Sequence, residues 1–178
     1  MELSIIGFLG IYRFEDGAAI RGGMLVTDTT LKPVEFRVTA PVRPEKFQKI
    51  LYGEILDEHI SVELIGLPVL NALQQKPNLI LVRNQLFLGM NAKQEIPTVL
   101  TLKEDEPLFK KGASTQSLNS LNSSHPPIKI YISEPFEGQL EEIAQQLQAM
   151  FQFRNLMEPF DRLEKACEDV HDRQVGDK

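Results

Sequence analysis

The chain has 178 residues, of which 42% are hydrophobic and 25% are charged, as is usual for one globular domain. Its single cysteine, Cys167, excludes an internal disulfide and a set of thiolate metal ligands, which favours a cytoplasmic location. No apolar run approaches the roughly 20 residues that a membrane-spanning helix needs. We therefore expect a soluble single domain over 1–178, with no membrane partner.

The net charge of −6 is unevenly distributed along the chain. Residues 1–133 contain 14 acidic and 14 basic side chains, whereas residues 134–178 contain 11 acidic and 5 basic ones. An acidic C-terminal region repels phosphate backbones. On this ground the sequence ranks nucleic-acid binding last among the functions considered.

The first forty residues predict an antiparallel meander of three strands. β-branched and aromatic residues dominate 3–14, and the run MLVTD follows Gly22 and Gly23, which we expect to form a bulge or tight turn. Apolar and polar residues alternate over 34–39, as in a strand with one buried face. Three successive strands with short connections are typical of a meander.

Helical spacing of apolar residues begins after this meander. It covers 44–52 and then 54–75, where Pro68 is expected to kink or divide the helix. Buried strands are predicted at 79–82 and 98–102. The intervening segment NQLFLGMNAKQE fits either a short helix or a hairpin arm, and the pattern does not decide between them.

The C-terminal half begins with a segment rich in Ser and Asn, 104–127, which predicts a flexible surface loop. A short strand at 128–132 and two amphipathic helices follow, and the polar residues 172–178 should fray. The sequence thus predicts an α+β fold. Its N-terminal β-meander is extended by further strands into a mixed sheet, packed by helices that include a C-terminal pair.

Common catalytic motifs are absent: the sequence has no GxSxG, HExxH, Walker A or strand-linked GxGxxG pattern. His59 lies beside Asp57 and Glu58, but adjacent residues on a helix point in different directions and cannot converge on one metal ion. His125 falls in the predicted loop and His171 in the predicted frayed end, so we expect neither side chain to be held rigidly. We therefore predict no catalytic residue, no metal and no cofactor, and we favour a non-enzymatic role.

The most suggestive polar group is formed by Glu35 and Arg37, two residues apart on one face of the third strand. Arg37 could clamp an anionic small molecule or nucleotide together with three cations of the adjoining helix, Arg43, Lys46 and Lys49. The alternative is an exposed ion pair that contributes less than about 1 kcal/mol. The same basic helix is also the candidate surface for nucleic acid.

An apolar stripe near the C-terminus offers a candidate partner-binding surface. Phe160, Leu163, Cys167 and Val170 recur at helical spacing and could face a partner helix. Packing of the stripe on the protein's own sheet is the alternative. Cys167 itself is expected to be a small buried apolar residue rather than a nucleophile.

Two segments, GGMLVTDTTLKPVEFRVTAPVRPEKFQKILYG and LMEPFDRLEKA, resemble a group of small bacterial proteins with no assigned activity. The resemblance covers most of the chain and implies one continuous domain. It also implies membership of a multi-protein bacterial system, including antiviral defence, and it implies no catalytic residue. The sequence therefore predicts a non-catalytic interaction module, an accessory subunit or adaptor with a protein partner. A sensor or enzyme that binds an anionic ligand near Glu35 and Arg37 is the first alternative, and nucleic-acid binding is the second.

Overall fold

A seven-stranded mixed sheet runs through the molecule in the order β3-β2-β1-β4-β5-β7-β6. The computed structural model describes residues 2–108, 113–122 and 125–176. The strands are β1 (Ile5–Phe14), β2 (Ala19–Asp28), β3 (Pro33–Val38), β4 (Leu79–Val82), β5 (Thr98–Lys103), β6 (Gln116–Leu118) and β7 (Ile128–Ile132). β1 pairs antiparallel with β2 and parallel with β4, and β4 pairs parallel with β5. This mixed sheet, with its N-terminal meander and C-terminal helical pair, confirms the predicted α+β fold class.

Helices cover both faces of the sheet. They are α1 (Lys46–Tyr52), α2 (Leu56–His59), α3 (Leu67–Ala72), α4 (Leu140–Phe151) and α5 (Glu158–Gly176). A π-helical segment, Ile60–Gly66, joins α2 to α3, and Pro68 lies in the first turn of α3, where its missing N–H is tolerated. The predicted break in this region is therefore a change of helix type just before the proline.

The undecided segment between β4 and β5 is a 3-10 helix, Gln85–Ala92. Its start is capped by Asn84, whose side-chain oxygen accepts a hydrogen bond from the backbone N–H of Leu86 at 2.9 Å. A capping side chain of this kind satisfies a backbone donor that would otherwise have no partner.

Alternate residues of the central strands enter two separate apolar clusters. Leu79 and Leu81 of β4 pack with α4 and α5 on one face, while Ile80 and Val82 pack with the π-helical segment and α3 on the other. Strands buried on both faces have nearly continuous apolar sequences, which explains the run LILV. The sheet therefore separates two helical layers.

Gly22 and Gly23 lie within β2 and let both layers approach the sheet. A Cβ at Gly22 would come 1.9 Å from Cγ2 of Ile65, and one at Gly23 would come 2.6 Å from Sγ of Cys167. The predicted bulge or tight turn at these residues is therefore wrong. They are ladder residues opposite Ile11 and Gly10, and glycine is needed there for close packing rather than for a turn.

The predicted loop and the predicted frayed tail both include described secondary structure, and their flexibility stays a prediction. The segment 104–127 contains β6, and the side chain of Gln148 exchanges two hydrogen bonds with the backbone of Asn119. Parts of the predicted loop, residues 109–112 and 123–124, lie outside the described residues. α5 continues through Gly176, and the last two positions of the predicted frayed tail also lie outside them.

None of the described helices combines the length and apolar character that membrane crossing requires.

Candidate functional site

A cleft of about 460 Å³ opens at the carboxyl ends of the parallel strands. β1 continues to Phe14, whereas its last pair with β4 joins Leu9 to Val82. The part of β1 that follows Leu9 therefore has no β4 residue beside it and forms the floor of the cleft. Ligands of open sheets commonly bind in crevices of this kind, outside the carboxyl ends of parallel strands.

The first wall of the cleft carries two cations. Arg83 directly follows β4, and Lys103 is the last residue of β5. The guanidinium of Arg83 donates to both carboxylate oxygens of Glu106, at 2.7 and 3.0 Å, and to the Thr101 carbonyl at 2.9 Å. This bidentate pairing fixes the position of the guanidinium and holds the pKa of Glu106 below its usual value.

The opposite wall is formed by the start of α5 and the residue before it. Met157, Phe160, Asp161 and Glu164 line the cleft at helical spacing. Phe160 is buried, with its ring edge-on to Phe8 at 5.3 Å between centroids, and this contact anchors the helix against β1. Asp161 and Glu164 are exposed, so the two walls present opposite charges.

The floor combines Gly10 with the side chain of Tyr12. A Cβ at Gly10 would lie 2.3 Å from the Tyr12 hydroxyl, so the absent side chain is what lets the phenol lie back over the strand. Burial raises the pKa of Tyr12, and the nearby Cys167, Glu164 and Asp161 raise it further. The phenol therefore remains protonated at neutral pH and can donate a hydrogen bond.

The predicted anion-binding residues do not line this cleft. Arg37 pairs with Glu35 at 2.8 Å, and Arg43 pairs with Glu15 at 2.7 Å. Glu35 also accepts hydrogen bonds from two backbone N–H groups that follow α3, at positions 74 and 75, so it ties β3 to that connection. Lys46 and Lys49 are exposed on α1. Anion binding by these residues stays a prediction.

Helix α1 has no buried residue. Phe47, Ile50 and Leu51 are each at least 66% exposed, beside the two lysines of the same helix. His59, which the sequence places near two acidic residues, stacks on Tyr52 at 4.5 Å between ring centroids.

The predicted partner-binding stripe packs mainly inside the chain. Phe160, Leu163 and Cys167 are buried against β1 and β2, and Val170 is half-buried. Burial also raises the pKa of Cys167 to about 12, which leaves the thiol protonated. A partner helix on this stripe stays a prediction.

Sequence reasoning missed five residues of the cleft, namely Tyr12, Arg83, Lys103, Asp161 and Glu164. A signal existed for two of them, because Arg83 and Lys103 each come at the end of an apolar run predicted as a buried strand. The expectation that the His171 side chain cannot be held rigidly is wrong, since it is buried and hydrogen-bonded to Arg21 at 2.8 Å.

Among residues 2–108, 113–122 and 125–176, no group of three or more His, Cys, Asp or Glu side chains is arranged to hold a metal ion.

The fold resembles that of three solved endonuclease V structures. The Streptomyces avermitilis enzyme aligns at 15% identity over 98% of this chain and 85% of its own, with a TM-score of 0.67. The Ciona intestinalis enzyme, in complex with a 23mer DNA containing an inosine followed by a ribo-adenosine, aligns at 13% identity over 96% and 86%, with a TM-score of 0.61. The Bacillus subtilis enzyme aligns at 12% identity over 100% and 84%, with a TM-score of 0.59. No family model and no curated protein matches the chain.

This likeness corrects the function predicted from sequence. The prediction of a non-catalytic protein-interaction module, as accessory subunit or adaptor in a system such as antiviral defence, is wrong, because the chain has the fold of a nuclease that has been solved with DNA. The ranking of nucleic acid as the last partner is wrong for the same reason. It relied on a charge summed over the chain, whereas binding depends on the charges that line one surface.

Proposed function

We propose that this protein binds nucleic acid in the cleft at the carboxyl ends of β1, β4 and β5. The observation that carries the proposal is the position of Arg83 and Lys103 at the ends of two parallel strands. They occupy this edge in a fold whose Ciona intestinalis counterpart was solved in complex with DNA. A cytoplasmic location, which the single cysteine favours, is part of the proposal.

The two cations suit a phosphate backbone in different ways. Arg83 is held in place by Glu106, which offsets part of its charge but orients its planar group at the cleft. Lys103 is an exposed ammonium, a compact charge that can approach a phosphate oxygen. Neutralising a phosphate releases condensed counterions, so affinity should fall as salt is added.

The distribution of charge is compatible with this site. Among the residues that line the cleft, the cations Arg83 and Lys103 lie on one wall and the carboxylates Asp161 and Glu164 on the other. The local field at a binding surface, rather than the net charge, steers a charged ligand. Strand cleavage is not part of the proposal.

Fluorescence anisotropy with labelled DNA and RNA oligonucleotides over a range of KCl concentrations tests the proposal. Lys103→Ala should weaken binding to all sequences and lower the slope of log affinity against log salt by about 0.7 for single strands. The matched control is Lys32→Ala. Lys32 is an exposed lysine in the turn between β2 and β3, at the opposite end of the sheet, where Asp28 pairs with Ile5.

The proposal is supported if the wild type binds single or double strands with an affinity that falls as salt is added, and if Lys103→Ala weakens this binding while Lys32→Ala does not. The proposal is wrong if no oligonucleotide binds at low salt, or if Lys32→Ala weakens binding as much as Lys103→Ala. Circular dichroism of both variants establishes that each one is folded.

A further inference from the structure

We infer that the cleft takes an unpaired nucleic-acid strand, with its phosphates toward Lys103 and its base edges toward Asp161 and Glu164. The inference rests on the proposed function and adds the class of ligand and its orientation. It follows from the opposite charges of the two walls, because a phosphate backbone can approach only one of them favourably.

The acidic wall carries two carboxylates on one face of a helix. Asp161 and Glu164 are three residues apart, so they are neighbours on the surface of α5, and both are exposed and line the cleft. Carboxylates accept hydrogen bonds from exocyclic amino groups of bases, such as N4 of cytosine. This wall therefore offers acceptors to a base edge and repulsion to a phosphate.

A duplex fits these charges poorly. Its second backbone would lie toward α5, in which six acidic side chains outnumber three basic ones. Both chains of a duplex carry phosphates, so the repulsion cannot be avoided by turning the duplex around. In a duplex the Watson–Crick edges of the bases are also paired with each other, whereas an unpaired strand leaves them open to protein acceptors.

The floor of the cleft suits an unpaired base rather than a base pair of a duplex. The aromatic ring of Tyr12 and the flexible side chain of Met157 both line the cleft. Aromatic side chains stack on unpaired bases with little dependence on sequence. The carboxylates then supply the preference among bases, since the ring alone does not distinguish them.

Competition binding tests the inference with short homopolymers of deoxycytidine and thymidine and with a duplex of equal length. Cytosine carries an amino donor that thymine lacks, so the wild type should bind oligo(dC) about tenfold more tightly than oligo(dT), and the duplex least tightly. The double variant Asp161→Asn/Glu164→Gln keeps the shapes of the side chains. An amide can accept from cytosine N4 or donate to thymine O4, so the variant should lose the preference for oligo(dC). Without the two negative charges it should bind the duplex more tightly than the wild type does.

The matched control is Asp172→Asn, which removes one charge from an exposed position on the same helix, well beyond the cleft. It should leave the ratio of oligo(dC) to oligo(dT) affinity unchanged. If the two carboxylates only stabilised the fold, replacing them would not raise the affinity for the duplex. An increase in the double variant's duplex affinity therefore indicates a role in recognition rather than in stability.

Wild-type binding to the duplex that equals or exceeds binding to oligo(dC) overturns the inference and leaves the proposed function intact. An unchanged preference for oligo(dC) in the double variant overturns it as well. Failure of every oligonucleotide to bind at low salt removes both the inference and the proposed function.

Discussion

Nε of Arg21 donates a 2.8 Å hydrogen bond to Nδ1 of His171, which joins β2 to the last turns of α5. Arg21 is 2% exposed; its Nη1 donates to the Thr39 carbonyl at 3.0 Å and its Nη2 to Gln174 Oε1 at 2.6 Å. Nδ1 of the imidazole accepts the bond from Nε of Arg21, and Nε2 lies 3.2 Å from a carboxylate oxygen of Glu15. A buried arginine thus positions the C-terminal helix.

Removal of this imidazole should destabilise the fold. In His171→Ala the buried Nε–H of Arg21 has lost its acceptor, so we expect the free energy of unfolding to fall by about 1–3 kcal/mol. Urea denaturation followed by circular dichroism measures the change. The control is Arg173→Ala, whose exposed side chain pairs with exposed Asp169 and should change stability by about 0.5 kcal/mol or less. Equal losses in the two variants would contradict the role of the Arg21–His171 contact.

Gly22 should tolerate no side chain while Ile65 is present. A Cβ at Gly22 would overlap Cγ2 of Ile65, so Gly22→Ala should lower stability by about 1–3 kcal/mol. A double-mutant cycle with Ile65→Ala measures the coupling directly, and the cost of Gly22→Ala should be smaller in the Ile65→Ala background. Gly138→Ala is the control, because a Cβ there has no atom within 4 Å. Additive losses in the cycle would show that the overlap is not the cause.

The Arg83–Glu106 pair should contribute a pH-dependent part of the stability. The hydrogen bonds from Arg83 lower the pKa of Glu106 in the folded state below the usual value of 4.5. A carboxyl group with a lowered folded-state pKa stabilises the protein above the unfolded pKa, and this contribution is lost as the pH falls through the folded-state pKa. The stability difference between wild type and Glu106→Gln should be constant at neutral pH and shrink as the pH falls below about 4.5. Urea denaturation at a series of pH values measures it, and a difference that grows on acidification would contradict the prediction.

The thiol of Cys167 should be unreactive in the folded protein. Burial raises its pKa to about 12, so almost none of the reactive thiolate is present at pH 8. A chromogenic disulfide reagent should therefore label the protein only after denaturation, at one thiol per chain. Stoichiometric labelling of the folded protein within minutes would show that α5 opens from the sheet.

The likeness to nucleases is visible in the fold but not in the sequence, because sequence patterns report on neighbouring residues and the fold depends on distant ones. Alternation in the segment that forms β3 and the apolar run that forms β4 depend on neighbouring residues, so they predicted strands and the fold class correctly. Gly22 and Gly23 were misjudged, because their neighbours in sequence suggest a turn, whereas Ile65 and Cys167, far along the chain, require the missing side chains. The burial of His171 was missed for the same local reason, since its hydrogen-bond partner Arg21 lies 150 positions away in the sequence.

Local periodicity in the sequence predicts the α+β fold class and most of the strands and helices, because burial repeats within short stretches of chain. It does not predict the 3-10 helix Gln85–Ala92 or β6. The position of β4 beside β1, and of α5 across from the ends of β4 and β5, follows from the tertiary structure alone. That arrangement brings Arg83 and Lys103 opposite Asp161 and Glu164, residues separated by up to 81 positions. Strand order depends on packing between residues that are far apart in the sequence. Charged residues that are brought together only by this packing leave no pattern in a short stretch of sequence.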